Sequence, residues 1–127
     1  MLRSPSLFVI AAPSGAGKTT LVNALVKRKK NIKLAISFTT RKKRSTEKNG
    51  RDYIFISKKE FNDLEKKSDF LESALVFDNY YATSKKQVNT YLSNKYHVIL
   101  EIDWQGAQQI RKSMPSCITI FILPPSL

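Results

Sequence analysis

Disulfides are excluded at once: Cys117 is the only cysteine, and one thiol cannot form an intrachain bridge. Its apolar neighbours predict a buried thiol, and single-cysteine usage fits a reducing, cytoplasmic setting. His97 is the only histidine. It has no partner at metal-ligand spacing and no nucleophile nearby, so it receives no chemical role. Acids are scarce too, with 10 Asp+Glu against 22 Lys+Arg and a formal charge of +12. That surplus favours anionic partners without choosing among nucleotides, nucleic acids and acidic membranes. The basic residues are scattered as pairs and quartets, at 27–30, 41–44, 58–59, 66–67 and 85–86, which argues for mostly solvated helix faces and against one nucleic-acid track. No apolar segment is long enough to span a membrane. The apolar run at 7–12 is too short for a secretion signal. No repeat, low-complexity tract or Pro/Gly/Ser-rich linker divides the 127 residues, so one domain is expected.

What the chain does contain centres on Ala12-Pro-Ser-Gly-Ala-Gly-Lys-Thr-Thr20. An apolar run leads in, and a helical pattern with Leu21, Ala24 and Leu25 leads out. Strand, glycine-rich turn, Gly-Lys-Thr and helix form the context of a phosphate-binding loop. Gly15 and Gly17 let the backbone approach a phosphate, with successive N–H groups and the positive helix end facing the anion. Lys18 would reach the β- and γ-phosphates, and the Thr19 hydroxyl would ligate Mg²⁺. The motif places glycine at position 12, where this chain has alanine. The competing reading is an ordinary glycine-rich turn with an exposed lysine.

Strand and helix patterns then alternate. A first helix is expected over 18–29 and a short strand over 33–37, and strand formers follow at 53–56. Ser57-Lys-Lys-Glu60 has capping-box form and opens a helix with Phe61 and Leu64 on one side. The stretch 70–77 is extended or mixed. Ser84-Lys-Lys-Gln87 is a second capping-box candidate, opening a helix with Val88, Tyr91 and Leu92 inward. The run 97–103 reads as a parallel strand buried on both faces, ending in acids. A helix over 104–114 carries Trp104, Ala107, Ile110 and Met114 along one stripe, and Pro115 ends it. A last buried strand covers 118–123. The expected class is α/β, a mainly parallel sheet flanked by helices, with 37–84 breaking the rhythm as an inserted lobe. A buried strand with nothing after it to cover it predicts further elements beyond Leu127.

Several residues carry two readings. Asp103 suits either the metal side of a phosphoryl-transfer site or the N-cap of the following helix. Glu101, also at the strand's carboxyl end, is read as functional. Arg41 and Arg44 form either a bidentate phosphate clamp or solvated charge. Glu72, a lone acid in an apolar stretch, is by pattern an outward-facing strand residue.

Taken in order, Ala12-Pro-Ser-Gly-Ala-Gly-Lys18, Ser37-Phe-Thr-Thr-Arg41 with Arg44, Asp52-Tyr53, Phe70-Leu-Glu72, Asn79-Tyr-Tyr81, Glu101-Ile-Asp-Trp-Gln-Gly106 and Phe121-Ile-Leu-Pro-Pro125 resemble the amino-terminal part of guanylate kinases. These are P-loop nucleoside monophosphate kinases that pass a phosphate from ATP to GMP. The resemblance covers nearly the whole chain. It implies a core of 1–36 and 85–127, a GMP-binding lobe at 37–84, and a lid beyond Leu127. Pro13, Ser14, Gly15, Ala16, Gly17, Lys18, Thr19 and Thr20 would surround the ATP phosphates, with Lys18, Arg41 and Arg44 catalytic. Ser37, Arg41, Arg44, Tyr53 and Tyr81 would hold the GMP phosphate. Glu72, Thr83 and Glu101 would read guanine. Mg²⁺ would sit by Thr19 and Asp103, the latter through water.

Three departures are visible. Alanine at 12 is shared with bacterial members, Glu101 stands where many members have aspartate, and Ala82 replaces a glycine. The implied partners are ATP and GMP or dGMP, in the cytoplasm, with no membrane or nucleic acid and with homo-oligomer formation open. A guanylate-kinase-like interaction module without catalysis is the alternative. The presence of Lys18, Thr19, Arg41, Arg44 and Glu72 argues against it, because such modules typically have a degraded phosphate loop.

Overall fold

The computed structural model describes residues 4–11 and 18–122, without the side chains of residues 18–20. Strand β1 (Leu7–Ala11) lies in a parallel sheet between β7 (His97–Ile102) and β8 (Ile118–Phe121), with β2 (Ile32–Leu34) on the far side of β7. Both central strands are continuous apolar runs because both faces are covered. On β7, Val98, Leu100 and Ile102 point to one face and Ile99 to the other, following the two-residue period. The first face packs against Val88 of helix α3 (Lys85–Ser93) and Ala107 and Ile110 of helix α4 (Trp104–Ser113). The second packs against Val22 of helix α1 (Lys18–Arg28). The expected fold class is the one observed.

A second sheet has the order β4 (Ile54–Phe55), β3 (Phe38–Thr39), β6 (Asn79–Ser84), β5 (Phe70–Val76). Helix α2 (Lys58–Lys66) follows β4, and its Phe61 is fully buried against the rings of Phe70 and Tyr80. The Ser57 box forms in both halves: Glu60 N–H donates to Ser57 Oγ (3.1 Å) and Ser57 N–H to Glu60 Oε1 (3.2 Å).

The second candidate box forms only in half. Ser84 Oγ accepts from Gln87 N–H (3.1 Å), but the Gln87 amide turns away to clasp Ile36. Ile36 N–H donates to Gln87 Oε1 (2.6 Å) and Gln87 Nε2 to Ile36 O (3.3 Å). Gln109 of α4 does the same to Ser73 of β5, accepting from its N–H (3.0 Å) and donating to its carbonyl (2.5 Å). Each side chain imitates a neighbouring strand: Gln109 ties the inserted sheet to α4, and Gln87 ties the segment that crosses between the sheets to α3.

Other expectations need correction. The strand expected over 33–37 is interrupted, because residues 35–37 cross from one sheet to the other under the Gln87 clasp. Trp104 is 56% exposed and not inward; it opens α4 directly after the Asp103 cap and leans on Phe121, ring centroids 5.0 Å apart. Of the strand expected over 118–123 and expected to be buried, β8 is described over Ile118–Phe121; among the described residues it is an edge strand beside β1, with Ile118, Ile120 and Phe121 exposed. Cys117 is half-buried. His97 has a structural partner, Nδ1 accepting from Ser6 N–H (3.0 Å).

Strands β5 and β6 join through Phe77-Asp78, both at positive φ (47° and 65°), as a tight primed turn requires. A phenylalanine in that region is strained, and this one is 93% exposed, so no packing offsets the strain. Replacing Phe77-Asp78 with Asn-Gly is expected to stabilise the protein by about 1 kcal/mol. Thermal denaturation checks this, and a lower Tm would count against it.

Candidate active site

The parallel register pairs Ala11 with Ile102, so β1 ends directly beside the carboxyl end of β7, two residues before α4 begins. Ligands in open α/β sheets lie at the carboxyl ends of such strands. Residues 12–17 and the side chains of Lys18, Thr19 and Thr20 lie outside the described residues.

The β5–β6 ladder is regular up to Glu72, where a bulge skips Leu71: Phe70 pairs with Ser84, but Glu72 with Thr83. A bulge re-aims a side chain. Here Leu71 packs on the core cluster and Glu72 turns under α4, 4% exposed. That overturns the outward-facing reading of its alternating pattern, because the bulge breaks the alternation. Thr83, 1% exposed, donates from Oγ1 to Glu72 Oε1 (2.8 Å). The approach of α4 is permitted by Gly106, where a Cβ would stand 2.6 Å from Glu72 Oε2 and 3.1 Å from Asp103 Oδ1. Burial pushes the Glu72 carboxyl up to about 7, with the nearby Asp103 charge adding to the effect and the Thr83 hydrogen bond opposing it.

Glu72, Asp103 and Ile102 line one cavity of about 230 Å³ together with Ser37, Tyr53, Val76, Tyr81 and Glu101. Six of the predicted site residues thus converge from β5, β6, β7 and the segments flanking β3 and β4. A larger cavity of about 610 Å³ shares Ser37, Tyr53 and Glu101 and extends towards Glu47, Arg51 and Asp52. Tyr53 and Tyr81 meet edge to face at 5.8 Å. The Arg41 guanidinium lies 5.2 Å from the Tyr53 ring centroid. Burial raises the Tyr53 phenol above its usual value, and neighbouring Arg41 opposes that shift. Arg44 stays exposed; its backbone N–H bonds Glu47 and its charge also helps to lower the Glu47 carboxyl. Ala82, standing in for glycine, is fully buried in β6 opposite Phe38 and Ser73.

Asp103 caps α4, accepting from Gly106 N–H (3.1 Å) and Gln105 N–H (3.3 Å), so its capping reading is observed. Each carboxylate oxygen keeps a lone pair for a metal-bound water. Among the described residues, no three His, Cys, Asp or Glu side chains cluster as a metal cage. A Mg²⁺ that keeps its waters and binds chiefly through nucleotide phosphates needs no such cage.

Two residues escaped sequence reasoning. Gly106 was quoted only as part of a motif, and nothing local announces that its missing Cβ is needed by a strand 34 residues earlier. Glu47 was passed over within a basic segment. Its signal was being a lone acid three residues beyond Arg41-Lys-Lys-Arg44.

Fold and groove together define a two-lobed α/β protein, a parallel core carrying an inserted sheet with a polar cleft between them. The Guanylate kinase family model matches residues 4–127, and the chain belongs to that family. It is 56% identical over 121 residues to a guanylate kinase of Pseudoalteromonas translucida, covering 95% of this chain and 59% of that protein. It is 54% identical over 122 residues to one of Hydrogenovibrio crunogenus, covering 96% and 60%. The crystal structure of guanylate kinase from Anaplasma phagocytophilum superposes with a TM-score of 0.84 at 35% identity, covering 98% of this chain and 63% of that one. The chain therefore spans about 60% of the length of the curated relatives it matches. Among the described residues no helix is long and apolar enough to cross a membrane.

Proposed function

We propose that this chain provides the acceptor site and the donor phosphate loop of an ATP:GMP phosphotransferase, dGMP being a second acceptor. The observation that carries the reading is the buried Glu72–Thr83 pair at the end of the polar cleft. Guanine presents N1–H and an exocyclic amine as adjacent donors, and an ionised carboxylate supplies two acceptors. Adenine would set its bare N1 against the same carboxylate, acceptor facing acceptor. A site built on such hydrogen bonds rejects the wrong base by ~10⁴-fold. Thr83 Oγ1 would turn to guanine O6, and Glu101 would stand by for the amine.

Arg41, Tyr53, Tyr81 and Ser37 would hold the acceptor phosphate, with Arg44 closing on it from the exposed loop. That phosphate oxygen is already nucleophilic, so the protein needs no strong base; its work is positioning and charge neutralisation. Lys18 would neutralise the donor phosphates. Mg²⁺, held by Thr19 and by Asp103 through water, would add charge neutralisation there when bound.

A coupled ADP-release assay with GMP, dGMP, AMP and CMP tests the activity, and equilibrium titration with GMP and AMP tests the site independently of turnover. GMP is expected to bind at least about a hundredfold more tightly than AMP. Equal affinities would overturn the base-reading role of Glu72.

A further inference from the structure

We infer that Glu47 is a positioning residue for the acceptor phosphate, holding the Arg41 guanidinium and the Arg44 turn in one fixed arrangement. This deepens the proposed function and rests on it. Arginine has five N–H donors. In the free protein Arg41 Nη1 donates to Glu47 Oε1 (3.0 Å) and to Lys42 O (3.1 Å), while Nη2 donates to Glu47 Oε2 (2.7 Å). Glu47 therefore takes the end-on fork of the guanidinium. Tyr81 and Tyr53 also hydrogen-bond this guanidinium, and its side-on fork, made by Nε–H and the second Nη2–H, is the other geometry that matches a phosphate bidentately.

The same carboxylate accepts from Arg44 N–H (2.8 Å), so one acid sets the direction of one arginine side chain and the backbone of the other. Surface ion pairs are mostly weak and mobile. This one differs in being bidentate and only 14% exposed on both side chains, with Arg41 also lying over the rings of Tyr53 and Phe55. Glu47 lines the larger cavity itself, beside Tyr53 and Ser37. An arginine held in place before binding loses little rotamer freedom when the phosphate arrives.

The alternatives are that Glu47 only braces its loop, or that it competes with the phosphate for Arg41. Titration of the chain with GMP and with guanosine, followed by NMR, separates them, because guanosine uses the base pocket but not the phosphate site. Glu47→Gln is expected to weaken GMP by about tenfold and to leave guanosine within about twofold. Glu47→Asp, keeping the charge with one methylene less, is expected to fall between Glu47→Gln and the unsubstituted chain. Parallel weakening of GMP and guanosine would reduce Glu47 to a loop brace and overturn the proposal. Unchanged or tighter GMP binding in Glu47→Gln would overturn it as well. If the unsubstituted chain bound guanosine and GMP no better than AMP, the failure would lie in the guanylate reading itself, visible before any variant is made.

Discussion

At pH 8, Glu72→Gln is expected to weaken GMP binding by about a hundredfold or more while making the free protein more stable. Both effects have one cause. A carboxyl held near 7 by burial resists ionising, so keeping it charged at pH 8 costs the folded state about 3 kcal/mol relative to the unfolded chain. Between its ordinary value of 4.5 and about 7, the folded protein binds the proton more tightly than the unfolded one. The Glu72 contribution to stability is therefore most favourable below 4.5, declines as pH rises through that window, and levels off above 7. Glu47 runs the other way. Hydrogen bonds from Arg41, then from Arg44 N–H, hold its carboxyl down at about 2, so its contribution is present above 4.5 and lost on acidification.

Comparing unfolding free energies of the unsubstituted chain and Glu72→Gln at pH 5 and pH 8 removes the shared terms. The variant's advantage is expected to be about 3 kcal/mol at pH 8 and to shrink to about a quarter of that at pH 5. The charge costly to the free protein is the one the base needs, so GMP affinity is expected to fall about tenfold from pH 8 to pH 6. The phosphate also titrates, with a second pKa of about 6. That part survives in Glu72→Gln, and only the excess slope belongs to the carboxyl. Parallel pH profiles for the two proteins would remove Glu72 from base reading.

The second large effect comes from Gly106→Ala. The new Cβ would stand 2.6 Å from Glu72 Oε2 and 3.2 Å from its carboxyl carbon. Either the carboxylate abandons its 2.8 Å bond with Thr83, or α4 lifts from β5. Alanine gains about 1 kcal/mol of helix propensity over glycine, and losing one buried hydrogen bond costs about as much. Thermal stability is thus expected to change little, whereas the guanine-reading carboxylate is displaced. GMP affinity is expected to drop by about 10- to 100-fold, with AMP affinity unaffected. Isothermal titration with both nucleotides checks this. An unaltered preference for GMP would show that Glu72 accommodates the methyl group without leaving its place.

The legible parts of the chain were those written in local chemistry. The Ser57 capping box, the apolar period of β7 and the Asp103 cap each depend on residues within a few positions of one another, and each is seen. Glu72 was opaque to pattern because a bulge at Leu71 reverses the alternation that pattern relies on, and only family resemblance pointed to its role. Gln87 looked like half of a capping box, but it bonds a segment 51 residues away. Trp104 fitted the helical stripe, yet the stripe extends past the sheet it was meant to cover. These misses arise where tertiary geometry, a bulge, a distant partner or the edge of a sheet, overrides a local rule.

The Gln87 and Gln109 clasps bear on how this protein meets its surroundings. The charges of Glu47 and Glu72 answer to pH, and the Arg41–Glu47 attraction is screened by salt. The two clasps, one on a strand of the inserted sheet and one on the segment leading into it, are made by carboxamides, which neither titrate nor carry net charge. Ionic strength and acidity can therefore retune the grip on an anion while the seam between the lobes keeps its register. Recognition is left adjustable, and the joint that aligns it is buffered against the same changes.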